Sequence, residues 1–155
     1  MHIEFAGTRD IETMADLLHE LFTLESDFKP ERAKQLAALK WILDHPAHGR
    51  LFVAREGDQV VGMANALISI STAEGGPVLI LEDVILAASH RGNGHGRHLV
   101  EHVLAWAHSQ NISRVTLLAD KDNAAALVFY ERLGFEESAM VVRRFRTRKA
   151  DTARP

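Results

Sequence analysis

Three glycines fall within five positions of Arg91-Gly92-Asn93-Gly94-His95-Gly96, and the segment joins an apolar, strand-like run, Val78 to Leu86, to a helix-like run, Arg97 to Ser109. Without Cβ atoms the backbone can approach a ligand closely, so several main-chain N–H groups can converge on one anion. The helix that follows adds the positive end of its dipole. Strand, glycine turn and helix in this order make a layout for gripping a phosphate.

Common phosphate loops can be tested one at a time. The dinucleotide pattern G-x-G-x-x-G fails because Arg97 stands where the third glycine belongs. The triphosphate pattern fails because no Gly-Lys-Ser/Thr occurs. R-x-x-G-x-G fits, with Arg91, Gly94 and Gly96 in place. That pattern resembles the pyrophosphate loop of the GNAT superfamily of N-acetyltransferases. Asn123-Ala124-Ala125-Ala126-Leu127-Val128-Phe129-Tyr130-Glu131-Arg132-Leu133-Gly134-Phe135 resembles the second signature of the same superfamily, N-x-x-A-x-x-[FL]-Y-x-[KR]-x-G-F. The resemblance implies a mixed α/β fold: a central, mostly antiparallel sheet whose parallel strands splay apart, flanked by helices.

With 155 residues, 46% hydrophobic and 25% charged, the chain suits one globular domain. We expect that domain over 1–148 and a flexible tail over 149–155. No apolar stretch is long enough to cross a bilayer, and Met1-His2-Ile3-Glu4-Phe5 lacks the features of a secretion signal, so a cytoplasmic protein is expected. The absence of cysteine excludes disulfides, thiolate metal sites and a cysteine acyl-enzyme. A net charge of −3 argues against an electrostatically driven nucleic-acid binder. The basic run from Arg143 to Lys149 is read as a strand end and solvated tail.

Periodicity predicts a short strand over His2 to Phe5 and a helix from an Asp10 N-cap, with Ile11, Met14, Leu17, Leu18 and Leu21 on its apolar face. A second helix, with Pro30 in its first turn, should stop near Asp44. Leu51 to Arg55 and Gln59 to Ser71 read as a hairpin around Glu56-Gly57-Asp58. Pro77 to Leu86 gives the strand before the loop, Arg114 to Leu118 another, and Asn123 to Arg132 a helix. One or two closing strands are expected over Phe135 to Phe145.

The resemblance implies acetyl-CoA as acyl donor. It assigns the pantetheine arm and the developing oxyanion to the backbone of Val84, Ile85 and Leu86, and the diphosphate to Gly92, Asn93, Gly94, His95, Gly96 and Arg97. Arg91 and Arg97 would add charge, and Asn123 would contact the arm, cap its helix, or do both. Tyr130 is implied as the acid that protonates departing CoA thiolate, also touching the cofactor; Phe129 and Leu133 read as core.

An ammonium must lose a proton before it attacks, so a base is needed. Glu82 and Asp83 interrupt an apolar strand, where a carboxylate is expensive unless paired or functional. Strand alternation lets only one face the ligand unless a bulge intervenes. Leu81-Glu82-Asp83 followed by Arg91-x-x-Gly94 also resembles spermidine/spermine N-acetyltransferases, which favours Glu82 as base and leaves Asp83 as its partner. The same resemblance points to Glu25 and Asp27 for substrate recognition, although solvated helix-end carboxylates are the simpler reading. His98 and His102 lie one helical turn apart, but no further ligand is identifiable, so no metal is expected.

The expected activity is direct transfer of an acetyl group to a primary amine of a small molecule such as a polyamine, diamine or amino acid derivative. The rivals are a protein N-terminus or lysine as acceptor, and a non-catalytic acyl-CoA-binding module. No nucleic-acid or membrane partner is expected, and a homodimer is the expected assembly.

Overall fold

The computed structural model describes residues 1–25 and 27–147. The expected tail over 149–155 lies outside them. Five strands form one sheet in sequence order: β1 (His2–Phe5), β2 (Gly49–Glu56), β3 (Gln59–Ser71), β4 (Gly76–Leu86) and β5 (Val115–Leu117). The first four pair antiparallel, and β4 pairs β5 in parallel. Between β1 and β2 the chain forms α1 (Ile11–Leu24) and α2 (Arg32–Asp44); α3 (His95–Ser109) links β4 to β5, and α4 (Ala124–Glu131) follows β5. The mixed α/β sheet flanked by helices agrees with the sequence expectation.

The two helix layers explain the composition of the strands. Leu51, Val53, Met63 and Ile85 pack under α1 and α2 with Met14, Leu18 and Leu39. Phe52, Ala54, Ala64, Leu79 and Leu81 pack against α3 through Leu99, Val100 and Val103. Because both faces are covered, successive residues are apolar rather than alternating, as in the run Leu51-Phe52-Val53-Ala54. Gly62 pairs with Leu86, and a Cβ there would lie 2.3 Å from a Leu86 methyl. Its bare backbone lets the end of β4 settle against β3.

Three expectations are corrected. Pro30 stands ahead of α2 rather than in its first turn, since Glu31 is the N-cap and the helix begins at Arg32. Asp10 precedes α1, but its side chain does not cap that helix. Its carboxylate accepts from the Gly7 amide at 2.8 Å and from Arg55 at 2.7 Å, because a buried acid gains more from a guanidinium than from a helix end. The closing strands over Phe135 to Phe145 do not form: this stretch carries no ladder, and Met140 and Phe145 are 86% and 91% exposed. The β-branched pattern there is real, yet a strand needs a partner edge, and β5 supplies only three residues.

Candidate active site

The site begins where the sheet opens. Leu79, Ile80 and Leu81 pair with Val115, Thr116 and Leu117, and there the parallel ladder ends. Strand β4 continues to Leu86, held on its other side by β3 through Ile85–Met63 and Leu86–Gly62. Residues 82–86 thus keep an unladdered edge facing the gap beside β5. Between the Glu82–Asn65 and Ile85–Met63 pairs, β4 carries one residue more than β3, which makes a bulge. Asp83 sits in it with φ 54°, a left-handed conformation that aspartate tolerates better than most residues. From the bulge onward, Val84 and Leu86 pack toward the α3 layer and Ile85 toward α1 and α2.

The glycine loop lies directly after β4. Gly92 and Gly94 have φ 83° and 79°, and a Cβ on either would meet nothing within 4 Å, so conformation rather than crowding requires glycine. Gly94 is the N-cap of α3. The preceding turn's last backbone bond runs from the Arg91 amide to Ala88, and the next runs from the His98 amide to Gly94. Among the described residues, the amides of Gly92, Asn93, Gly94, His95, Gly96 and Arg97 therefore remain available at a positive helix end. Arg91 itself turns back: Nε donates to the Leu86 carbonyl at 2.8 Å and a terminal nitrogen to Glu20 at 2.6 Å. Arg97 pairs with Glu101 at 2.7 Å along α3. Both arginines are thus spent on the protein, and the loop's capacity for anions rests on main-chain amides.

Helix α4 comes to the same place. A Cβ on Gly96 would stand 3.6 Å from both Leu86 and Phe129, so loop, strand end and helix meet there. Tyr130 follows Phe129 and packs edge-on between Phe129 and Phe135, with ring centroids at 5.0 and 5.6 Å. Burial, with the charge of Glu25 adding, pushes its hydroxyl up to about 12. It stays protonated at neutral pH, the state from which an acid starts. Asn123 caps α4 by accepting from the Ala126 amide at 3.0 Å, and Phe129 and Leu133 pack against the core.

Several carboxylates influence one another near the opening. Burial raises Asp83 from its ordinary value to about 6, with Glu82 adding in the same direction and the hydrogen bond from Asn65 opposing. Glu25 is also raised, first by burial and then by Asp83 and Asp120. Asp27 pairs with Arg144, whose guanidinium lies 5.2 Å from the Phe28 ring and is the cation acting on Glu25. Asp83 thus feels the charge of Glu82, and Glu25 that of Asp83, whereas Asp27 is engaged by the C-terminal segment.

Asn65, Asp120, Glu20 and Arg144 were missed from sequence. Asn65 left a signal: it is a polar residue in the middle of the apolar run Val60 to Ile70. Arg144 had none, because its contacts arise from chain segments 117 positions apart. Among the described residues no group of three or more metal-ligating side chains converges, and no helix is long and apolar enough to cross a membrane.

A mixed sheet that opens beside a glycine-rich helix start, with a tyrosine on the next helix, is the architecture of acetyl-group transferases. The acetyltransferase (GNAT) family model matches residues 11–135, and the chain belongs to that family. It is 34% identical over 92 residues to N-acetyltransferase family 8 member 2 of Rattus norvegicus, covering 59% of this chain and 41% of that protein. It is 31% identical over 124 residues to N-alpha-acetyltransferase 40 of Saccharomyces cerevisiae, covering 69% and 41%. The chain thus spans about two fifths of the length of these curated relatives. Its fold matches that of AAC(6')-Iy, solved in complex with the bisubstrate analogue CoA-S-monomethyl-acetylneamine, with a TM-score of 0.77 at 24% identity over 96% of this chain and 98% of that one.

Proposed function

We propose that this chain is an acetyl-CoA-dependent N-acetyltransferase that acts on a primary amine of a small molecule such as a polyamine, diamine or amino acid derivative. The observation that carries the reading is the juxtaposition of an unladdered β4 edge after Leu81 with six available amides at the start of α3. The edge suits a pantetheine arm, which can hydrogen-bond as an added strand, and the amides suit a diphosphate. Family membership and the likeness to a fold solved with a CoA-based analogue support this donor.

The steps follow from charge. A base in the Glu82–Asp83 pair, with Glu82 nearer the ordinary role, removes a proton from the bound ammonium. The free amine attacks the thioester carbonyl, and the Val84 to Leu86 backbone donates to the oxyanion. Collapse breaks the C–S bond, CoA thiolate takes a proton from Tyr130, and the second proton shed by the attacking nitrogen passes through solvent to restore the tyrosine. The products are an amide, CoA and the proton held by the base. Glu25 supports the reading as a partner for the cationic acceptor, and Asp27 through its exchange with Arg144. Exposed Met140, Val141, Val142 and Phe145 support pairing into a homodimer.

The name of the yeast relative favours a second acceptor class, a protein N-terminus. That acceptor calls for a long groove, whereas the opening under α1 and α2 is a cup of about 240 Å³. A panel of amines and N-terminal peptides offered with acetyl-CoA, reading thiol release, tests the assignment. Release with a small amine is expected; release with peptides alone would replace the acceptor, and no heat on titrating CoA would remove the donor.

A further inference from the structure

Among the described residues one buried side-chain polar atom is without a partner, the carbonyl oxygen of Asn65. The residue is 5% exposed, and its amide nitrogen donates to Asp83 at 3.2 Å. An unmade hydrogen bond at a buried carbonyl is destabilising. Beside it stands a carboxylate held in a left-handed backbone conformation. Two unfavourable features at one place in a strand interior mark a position kept for a ligand.

Both residues line the same cavity of about 240 Å³, whose walls include Leu18, Phe22, Leu39 and Ile42. The polar end is lined by Asn65 and the Asp83 carboxylate; the Asn65 carbonyl is closed to solvent, and a ligand meets it on a small shift of the side chain. The complement is a cation with at least two N–H donors. The walls disfavour a second charge. An apolar cavity of about 150 Å³ is enough for benzene, so this one has room for an ammonium joined to a phenyl or branched alkyl group. Glu25, raised by burial and by its acidic neighbours, lies outside the lining of this cavity and does not form the seat. Asp27 already holds Arg144, which also acts on Glu25, and Lys34 on the cavity wall is tied to Glu31 at 2.6 Å.

Resting on the acetyltransferase reading, we propose that Asn65 and Asp83 seat the acceptor's ammonium and that the acceptor is a primary monoamine carried on a compact apolar body. Asn65 is a positioning residue: its carbonyl receives one N–H while its own amide holds Asp83 in place to receive another. The nitrogen is thereby placed next to Val84, where the strand edge faces the donor.

The test is binding and turnover with isoamylamine and benzylamine against putrescine and spermidine, on the wild type and on Asn65→Leu. The apolar amines should show kcat/KM at least about tenfold above the polyamines. Asn65→Leu, close in volume, should raise KM for isoamylamine roughly 10- to 100-fold, the loss of one bond to a charged group, with the affinity for CoA unchanged. Ala38→Phe on the exposed rim should block the cup without disturbing the core, so the test survives if Asn65→Leu fails to fold. A preference for spermidine, or unaltered isoamylamine KM in the rim variant, overturns the seat. Calorimetric binding of isoamylamine that Ala38→Phe abolishes, without acetyl transfer by the wild type, would sustain the seat and sink the enzyme reading. Absence of amine binding would sink the seat alone if peptides are still acetylated.

Discussion

Asp83→Asn should make this protein more stable at alkaline pH and a poorer catalyst at the same time. In the folded chain the carboxyl is raised from 3.8 to about 6 by burial, then by Glu82. The rise of roughly two units is worth about 3 kcal/mol, at about 1.4 kcal/mol per unit. Between about pH 4 and about pH 6 the native state keeps a proton that the unfolded chain has lost. Stability from this group is therefore whole below about pH 4 and is lost as pH rises through about 6. Asparagine removes the charge, tolerates the left-handed backbone equally well, and still offers an oxygen to the Asn65 amide. Urea denaturation of both proteins from pH 4 to pH 8 should show curves that coincide at the acid end and separate to as much as about 3 kcal/mol at the alkaline end. For a chain of this length that corresponds to a rise in Tm of about 6–12 °C. Acetyl transfer should fall over the same range, since the ionised form receives the ammonium. Curves that stay parallel across the whole pH range would refute the reasoning, because they would mean that the carboxyl is ionised as easily folded as unfolded.

Tyr130→Phe should lower turnover roughly a hundredfold while CoA affinity stays nearly constant, and calorimetry beside steady-state rates separates the two. Wild-type turnover would remove Tyr130 as the acid. Gly94→Val places a Cβ at φ 79°, which costs about 1–2 kcal/mol, so CoA should bind about tenfold more weakly as the loop distorts. An unaltered Kd would show that the α3 amides do not hold the diphosphate. Arg55→Ala leaves buried Asp10 without its guanidinium and should destabilise the fold by about 3–5 kcal/mol in denaturant titrations. A loss under 1 kcal/mol would show that water reaches the carboxylate.

What could be read from the sequence was what depends on local pattern. Gln59 to Ser71 is a strand with the expected limits, and the Gly57 turn before it has the positive φ that such a hairpin needs. The loop glycines were legible because few other contexts ask for Gly92 and Gly94 so close together ahead of a helix. Asp10 misled because capping and ion pairing use the same carboxylate, and only the distant Arg55 decides between them. The Glu82–Asp83 pair was half legible: alternation allowed one of the two to face a given side, and a bulge set by unequal counting against β3 places Asp83 in the lining of the cup. The strand pattern over Phe135 to Phe145 was read as a ladder because β-branched residues favour strands, but pairing is a property of two segments. Arg91 and Arg97 show the same limit, since their partners Glu20 and Glu101 are chosen by geometry.

The parallel ladder between β4 and β5 is three pairs long, and α4 hangs from it. A donor molecule lying along 82–86 would stitch that seam shut from outside, so the thioester would serve as mortar as well as reagent. Mass action would then add the free energy of binding that donor to the stability of the folded chain.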